Sequence, residues 1–292
     1  MEVRLLSYAK INITLQVSRR RPDGYHDIDS VVQVIDLSDE LEVSRADDGV
    51  IEVAVDSDAA PAGKDNIIYK ACEAFFRGCG ICGGARFALR KRIPVQAGLG
   101  GGSGNAAAAI AGLNRLYGCG LSAEQMVIIA GQVGSDAALF IHGGTVRMRG
   151  RGEQVTPLPD APLMHLVVVK PEVGVSTPWA YAELDRCEDR VHRGMSDRAE
   201  RAIRERSNGL VGCLTNDFDP VVSRLVPEIR RAKQRIGETG ALAVLLAGSG
   251  AAAFGVYNSV DAAQTAAADL SADFAEVFAT RTLTREESAL VL

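Results

Sequence analysis

A glycine-rich stretch followed by an alanine-rich run is the part of this 292-residue sequence best suited to hold a chemical group. Residues 98–104 contain five glycines and a serine, and residues 105–114 read as a helix. The first backbone N–H groups of a helix have no partner within it, and the helix dipole favours an anion there. Glycine also lets the backbone approach a phosphate closely. The stretch therefore predicts a nucleoside triphosphate site.

The glycine stretch differs from two well-known phosphate-binding patterns. No Gly-Lys-Ser/Thr follows the glycines, so it is not a P-loop. Counted from Gly98, Gly100 fits the dinucleotide-binding pattern, but Ser103 stands where its third glycine should be. A plain surface loop before a closely packed alanine helix is the alternative that these residues leave open.

Two charged residues could supply chemistry at such a site. Residues 11–17 alternate between apolar and polar side chains, which is the period of a half-buried strand, and this period puts Lys10 and Asn12 on the polar face. A lone lysine on a strand is usually solvated, so the pattern alone assigns Lys10 no role. Asp136 lies among small and apolar residues. Its position is equally consistent with capping a helix and with catalysis.

A turn at residues 20–26 carries two adjacent aromatic rings. Pro22 presets φ and Gly24 supplies a positive φ, so the segment turns and presents Tyr25 and His26 side by side. The pair is either the tip of a hairpin with incidental rings or a stacking surface for a planar ligand.

The elements that position these residues follow from periodicity and turn chemistry. Asn66 and Ser122 are predicted N-caps of helices, the second through a capping box with Gln125. A third helix begins at residues 176–177, with Pro178 in its first turn. The remaining predictions are strands at 3–17, 31–37, 41–44, 51–55, 86–93, 166–170, 241–246, 252–257 and 276–282, a charged helix and loop at 187–207, and helices ending near 236 and spanning 260–270.

Composition limits the class of protein. The chain is 47% hydrophobic and 24% charged, as in ordinary soluble globular proteins, and its net charge of −5 disfavours nonspecific nucleic-acid binding. No apolar run reaches the ~18–20 residues of a membrane helix. Cys79 and Cys82 have CxxC spacing without a second ligand pair, which favours idle thiols over zinc. We expect a cytoplasmic protein that binds neither nucleic acid nor membrane.

Several segments resemble motifs of the GHMP kinases, the superfamily that includes galactokinase and the homoserine, mevalonate and phosphomevalonate kinases. The glycine loop at 98–103 is similar to its second motif, residues 9–12 to its N-terminal motif and residues 246–250 to its C-terminal motif. Residues 21–26, 174–181 and 216–220 are similar to one branch of the superfamily, whose substrate is a cytidine diphosphate-linked methylerythritol. The resemblance runs in order along nearly the whole chain.

The resemblance implies an α+β fold of two domains divided at the proline-rich residues 157–162. Residues 1–157 would form a ribosomal-S5-like α/β domain with a left-handed βαβ unit, and residues 163–292 a ferredoxin-like α/β sandwich. ATP and substrate would meet between them, and Mg²⁺ would assist phosphorylation of the 2-hydroxyl of the methylerythritol unit in the non-mevalonate isoprenoid pathway. The partner would be this small molecule, and the chain would be a monomer or a homodimer.

The resemblance also assigns site residues. Lys10 and Asp136 match the catalytic positions, where a carboxylate can accept the proton of the attacking hydroxyl and an ammonium can stabilise charge. Ser103 could place the metal or a phosphate. The remaining positions that match ATP-binding residues are Asn66, Ile67, Pro94, Val95, Gln96, Ala97, Gly98, Leu99, Gly100, Gly101, Gly102 and Gly104. Those that match substrate-binding residues are Asn12, Tyr25, His26, Lys91 and Tyr181.

The sequence departs from the superfamily pattern in two places. Gly104 stands where many relatives carry a second serine, and Ala137-Ala138 stands where Val-Pro is common after the acid. Neither change removes a group assigned to chemistry. Two alternatives remain open: another small-alcohol kinase of the mevalonate or homoserine type, and a nucleotide-binding module without activity.

Overall fold

The computed structural model of the protein describes residues 2–57, 60–134, 136–187 and 194–290. Its first half is built on two long antiparallel strands, β1 (Glu2–Arg20) and β2 (His26–Ala46). The elements that follow are β3 (Ile51–Val55), α1 (Ile67–Cys79), β4 (Gly84–Arg90), α2 (Gly101–Tyr117), α3 (Ala123–Gly131), α4 (Ala137–His142), β5 (Thr145–Gly150) and β6 (Gln154–Pro157).

The first sheet has the strand order β3-β4-β2-β1, and β2 is long enough to hold two strands along its other edge. β4 pairs with residues 40–46 of β2 and β5 with residues 28–33, while β6 pairs with β5. β3 and β4 are parallel and are joined through α1, which forms a βαβ unit. Helices α1 and α2 pack on this sheet through a core of small and apolar side chains.

The second half contains β7 (His165–Lys170), α5 (Thr177–Asp185), α6 (Met195–Arg204), β8 (Thr215–Asn216), α7 (Asp219–Leu225), α8 (Pro227–Glu238), β9 (Ala243–Leu246), β10 (Ala253–Tyr257), α9 (Val260–Leu270), β11 (Glu276–Arg281) and α10 (Arg285–Ser288). Its antiparallel sheet has the order β11-β7-β10-β9, and α8 and α9 connect its strands. This order is the ferredoxin-like arrangement.

Residues 166–169 of β7 are all apolar because both faces of the strand are buried. Val167 and Val169 pack with α8 and α9, whereas Leu166 and Val168 pack towards Ile11 and its neighbours on β1. The two sheets therefore share a core. β8 extends this connection, since it adds two residues of the second half to the edge of β1 in parallel.

The structure corrects three sequence-based expectations. Helix α2 begins at Gly101 rather than at residue 105, so residues 101–104 form its first turn instead of a loop. The helix predicted to end near residue 236 is two helices, α7 and α8, because Pro227 cannot donate the hydrogen bond that would continue α7. β2 is one strand across residues 26–46 rather than two.

Other elements were not predicted, and one prediction is only partly described. The sequence analysis gave no α4, α10, β5 or β6, which are all short. Residues 188–193 of the predicted charged segment lie outside the described residues. The division at residues 157–162 stays a prediction. Within the part of the chain that the structure covers, no helix is long and apolar enough to cross a membrane.

Candidate active site

The loop before α2 is held by the turn between β9 and β10. The N–H groups of Ala251 and Ala252 donate to the carbonyl oxygens of Gln96 and Ala97 at 3.0 and 3.1 Å. Gly98 has φ +74°, and a Cβ there would lie 1.9 Å from the carbonyl oxygen of Ala247. The predicted phosphate loop and the C-terminal glycine motif thus form one backbone structure, which only glycine allows at residue 98.

The start of α2 packs against the strand that carries Lys10. The N–H of Lys10 donates to the carbonyl oxygen of Leu99 at 2.9 Å, and a Cβ on Gly100 would lie 3.0 Å from Cγ of Lys10. The first helical hydrogen bond here runs from Gly104 N–H to the carbonyl oxygen of Gly100, at 2.9 Å. The N–H groups of residues 101–103 precede it and have no acceptor within the helix.

The packing around Gly104 explains why a glycine stands where many relatives carry a second serine. A Cβ at this residue would lie 2.8 Å from the carbonyl oxygen of Tyr8 and 2.9 Å from Oγ of Ser7. α2 therefore lies too close to β1 here for a larger residue without a shift of the backbone. The neighbouring Ser103 keeps its side chain on the cavity described next.

Lys10 and Asp136 line the same cavity, which has a volume of about 960 Å³. The Lys10 side chain is buried, and its Nζ donates to Oδ1 of Asn12 at 2.7 Å, while Asn12 Nδ2 donates to Oγ of Ser30 at 2.8 Å. Burial lowers the pKa of the Lys10 amine, and the charge of Asp136 partly offsets this shift. An amine and a carboxylate from distant segments therefore line one cavity.

Asp136 occupies the N-cap position of α4, but its side chain makes no capping hydrogen bond. The capping alternative considered for this residue thus has no support in the structure. Burial raises the pKa of Tyr181 to about 12, and the charge of Asp136 adds to this rise; the same charge acts on Lys10. Asp136 lies between the glycine loop and the aromatic end of the cavity.

The aromatic end is built from both halves of the chain. The rings of His26 and Tyr181 stack at 4.7 Å between centroids, and Tyr181 meets Phe218 edge to face at 4.9 Å. Tyr25 stands apart and is 55% exposed, with the guanidinium of Arg151 4.7 Å from its ring centre. Because His26 and Tyr181 stack on each other, they form one wall of this end.

Asn216 connects the two ends of the cavity. Its Nδ2 donates to the carbonyl oxygens of Leu246 and Gly248 at 2.9 and 2.7 Å, and its Oδ1 accepts from the N–H of Phe218 at 2.9 Å. Gly248 and Phe218 both line the cavity. This buried amide therefore ties the glycine turn to the aromatic wall.

Lys91 is predicted to contact the nucleotides, but its side chain is engaged elsewhere. Nζ of Lys91 donates to Oδ2 of the fully buried Asp39 at 2.9 Å and also to the carbonyl oxygen of Ile93. Asp39 also accepts from Nδ2 of Asn105 at 2.9 Å. The pair fixes the strand end that leads into the glycine loop, and the binding role of Lys91 stays a prediction.

The predicted site residues fall into two groups. Those that line the cavity are Lys10, Asn12, Tyr25, His26, Gly98, Gly100, Ser103, Asp136 and Tyr181. The others are not among its lining residues: Asn66, whose side chain caps α1; Ile67, with Cγ2 3.9 Å from a Cβ placed on Gly102; Lys91; and Pro94, Val95, Gln96, Ala97, Leu99, Gly101, Gly102 and Gly104.

Several lining residues were missed by sequence reasoning. Asp185 follows Tyr181 by one helical turn, a spacing that could have indicated it. Phe218 lies in a segment already singled out, and Arg151 ends a basic run. Arg20, Thr177 and Ser249 lie in the turn, the helix start and the C-terminal motif already identified, but no pattern within those segments distinguished them as site residues.

Comparison with known proteins defines the class of this chain. The family models for the GHMP kinases N terminal domain and the GHMP kinases C terminal match residues 66–144 and 196–276. A crystal structure of homoserine kinase from Cytophaga hutchinsonii has a TM-score of 0.77 at 20% identity over 97% of this chain and 95% of that one, which shows a shared fold. The chain has the fold and the domains of a GHMP kinase, and the predicted fold class is confirmed.

More similar proteins narrow this class. The 4-diphosphocytidyl-2-C-methyl-D-erythritol kinase of Pelotomaculum thermopropionicum is 39% identical over 97% of this chain and 98% of that protein, and that of Moorella thermoacetica is 39% identical over 96% and 98%. A crystal structure of 4-(cytidine 5'-diphospho)-2C-methyl-D-erythritol kinase has a TM-score of 0.82 at 31% identity, covering 96% of this chain and 99% of that one. The chain belongs to this family of GHMP kinases, as its motifs predicted.

Proposed function

We propose that this protein transfers the γ-phosphoryl group of ATP to the 2-hydroxyl of 4-diphosphocytidyl-2-C-methyl-D-erythritol, a step of the non-mevalonate isoprenoid pathway. The observation that carries the proposal is the single cavity that joins Lys10 and Asp136 to a glycine-rich helix start and to an aromatic wall. Kinases of this name that are 39% identical over nearly their whole length support the same reaction.

The phosphate end suits a triphosphate because its donors belong to the backbone. The N–H groups at the start of α2, which have no acceptor within the helix, and the positive end of its dipole favour an anion, and Gly98 and Gly100 line the cavity beside them. No group of three His, Cys, Asp or Glu in the described part of the chain could hold a metal ion. This fits Mg²⁺, which binds through few protein ligands together with phosphate oxygens. Ser103 would contribute its hydroxyl.

Asp136 and Lys10 would perform the chemistry of this chain. The 2-hydroxyl oxygen forms a bond to the γ-phosphorus as the bond between that phosphorus and the β–γ bridging oxygen breaks; ADP leaves with the bridging oxygen, and the hydroxyl proton passes to the carboxylate of Asp136. The Lys10 ammonium lies in a buried setting, where it stabilises the developing negative charge more strongly than in water. Asn12 orients Lys10 through their 2.7 Å hydrogen bond and faces the substrate.

The aromatic end would bind the cytosine. Tyr25 offers an exposed ring for stacking, and the stacked pair of His26 and Tyr181 forms the facing wall. Ile67 lies beside the start of α2 and Asn66 caps α1 next to it, and both would contact the adenine. Lys91 would support the nucleotide from the strand end that its ion pair with Asp39 holds.

The setting in which the protein acts follows from these substrates. The substrate is a small charged molecule, and the net charge of −5 disfavours nucleic acid as a further partner. We place the activity in the cytoplasm and propose a monomer or a homodimer. Light scattering after size-exclusion chromatography distinguishes these two states from larger assemblies.

Activity assays with several acceptors test the proposal. Purified protein, ATP and Mg²⁺ are combined with the cytidine compound, with mevalonate or with homoserine, and ³¹P NMR follows the new phosphomonoester. We expect product only from the cytidine compound, because its base can use the aromatic wall. Turnover of mevalonate or homoserine alone would overturn the substrate assignment. Binding of both nucleotides without ATP consumption would overturn the catalytic one.

A further inference from the structure

His26 is held by a carboxylate that the proposed reaction does not use. Nε2 of His26 lies 2.8 Å from Oδ1 of Asp185, and the His26 side chain is 7% exposed whereas that of Asp185 is 28% exposed. Asp185 is the last residue of α5, one turn after Tyr181, whose ring stacks on His26. Helix α5 thus fixes His26 by stacking at one residue and by hydrogen bonding at another.

In a neutral histidine, the hydrogen-bond partner of one ring nitrogen decides whether the other nitrogen is a donor or an acceptor. A carboxylate only accepts hydrogen bonds, so in the neutral imidazole the proton stays on Nε2, and Nδ1 becomes an acceptor. No group of the described residues forms a hydrogen bond with Nδ1, and His26 lines the cavity. Nδ1 is therefore the ring nitrogen available to a ligand.

We propose that Asp185 is a positioning residue that sets base specificity by holding His26 in the Nε2–H tautomer. The inference rests on the proposed function, because it concerns the base of that substrate. Cytosine carries an exocyclic amine, a donor, where uracil carries a carbonyl oxygen, an acceptor. With Nδ1 as an acceptor, His26 can accept a hydrogen bond from the exocyclic amine of cytosine. The carbonyl oxygen of uracil would instead place a lone pair against the lone pair of Nδ1.

The location of the pair suits this role. A base stacked on the exposed Tyr25 ring would turn its edge towards neighbouring groups, and His26 is the next residue along the chain. The tight hold on His26 matters because a buried hydrogen-bonding group rejects a ligand that leaves it unpaired far more strongly than an apolar wall does.

Replacing Asp185 by asparagine tests the proposal. Asp185→Asn replaces a group that only accepts by an amide that can also donate to Nε2, so the Nε2–H form is no longer the only one supported and the Nδ1–H form, a donor towards the ligand, becomes populated. kcat/KM is measured with the cytidine compound and with its uridine counterpart. We expect the preference for cytidine to fall by about 10- to 100-fold, mostly through KM for the cytidine compound. Glu183→Gln is the matched control, since it makes the same change on α5 at a residue paired with Arg186.

An unchanged base preference in Asp185→Asn would overturn the proposal. An equal loss of kcat/KM with both compounds would also overturn the proposal, because that result would show a structural role for Asp185 and no effect on base specificity. If the wild-type protein phosphorylates neither compound, the proposed function fails, and the tautomer can still be determined without turnover.

The tautomer is read directly from the nitrogen shifts of ¹⁵N-labelled histidine in the whole protein without ligands. The chain has four histidines, so the His26 signals are assigned with a His26→Gln variant. We expect the Nε2–H form in the wild-type protein and in Glu183→Gln, and a shift towards Nδ1–H in Asp185→Asn. A wild-type ring in the Nδ1–H or doubly protonated form would overturn the proposal.

Discussion

The two ends of the cavity are built from different materials. The phosphate end consists of backbone, because carbonyl oxygens of the glycine loop accept hydrogen bonds from N–H groups of a second loop. The side chain of Leu99, which is 1% exposed, anchors the glycine loop in the core. The aromatic end is side chain: a ring stack, a histidine–carboxylate pair and Tyr25, which is 55% exposed. A triphosphate looks alike in every ATP-dependent reaction, whereas a base must be distinguished from other bases.

This contrast predicts which kind of substitution damages each end of the cavity. The backbone end has few side chains to delete but should fail when an atom is added at Gly98, Gly100 or Gly104, where a Cβ would lie less than 3.0 Å from another atom. The side-chain end tolerates additions at its exposed rim but loses affinity when a ring or a carboxylate is removed. Lys10 packs against the backbone end, and Asp136 lines the same cavity.

The largest expected effect lies between the two ends, at Asp136. Asp136→Ala should lower kcat by about 10²–10⁴-fold, the usual contribution of a general base, while ATP still binds. Steady-state kinetics and calorimetric titration with ATP measure the two quantities. Asp261→Ala, at an exposed carboxylate in the first turn of α9, is the control and should leave kcat unchanged. A kcat of Asp136→Ala within twofold of wild type would remove Asp136 from the mechanism.

The backbone end should fail on addition of one methyl group. Gly98→Ala puts a Cβ 1.9 Å from the Ala247 carbonyl oxygen at a residue with φ +74°, so both loops must shift. We expect a loss of about 1–3 kcal/mol in the free energy of unfolding and a raised KM for ATP. Urea unfolding and ATP titration check this.

Gly237→Ala provides the matched control for the backbone end. A Cβ there has its nearest neighbour 4.0 Å away inside α8, so the same change should be neutral or stabilise by about 0.4–1 kcal/mol. If both variants lose stability equally, close packing at Gly98 is not the cause.

The side-chain end should respond to removal of a ring. Tyr25→Ala should raise KM for the cytidine compound by about 10- to 100-fold and change kcat little, because stacking on one base is worth ~1–3 kcal/mol. Tyr25→Phe keeps the ring and should keep KM. An unchanged KM in Tyr25→Ala would refute the stacking role and with it the contrast between the two ends.

The smallest effect is expected for a substitution at Tyr181 that keeps the ring and removes only the hydroxyl. Burial raises the pKa of Tyr181 to about 12, so its hydroxyl remains protonated throughout the working range of the enzyme. Tyr181→Phe should therefore give a pH profile that superimposes on that of the wild-type protein between about pH 6 and pH 9, with kcat/KM within about twofold. A lost or displaced limb in this profile would show that the hydroxyl titrates during catalysis.

The sequence revealed local geometry better than long-range contacts. The glycine loop, the caps at Asn66 and Ser122 and the strand at Lys10 each depend on neighbours within a few residues, and the structure contains all of them. The start of α2 was predicted too late in the chain because glycine disfavours helices. Gly104 is nevertheless part of the helix, since close packing against β1 requires a glycine there. Side-chain partners far apart in sequence, such as His26 with Asp185 and Lys91 with Asp39, could not be inferred from spacing.

The site shows the same limit. Lys10 and Asp136 were paired through resemblance to a family, since neither the strand period nor the small residues around Asp136 reveals the other residue. The aromatic rings were found from their turn and helix, but their mutual stacking depends on how α5 lies against the start of β2, which no local pattern specifies.

The two-residue strand β8 has a consequence for substrate length. It joins the second half of the chain to the edge of the strand that carries Lys10, and Asn216 within it holds the glycine turn and the aromatic wall together. Under the proposed function, these hydrogen bonds would fix the span from the base to the reacting hydroxyl. An acceptor with a monophosphate bridge in place of the diphosphate would seat its base and leave its alcohol short of the carboxylate, so it should inhibit rather than react.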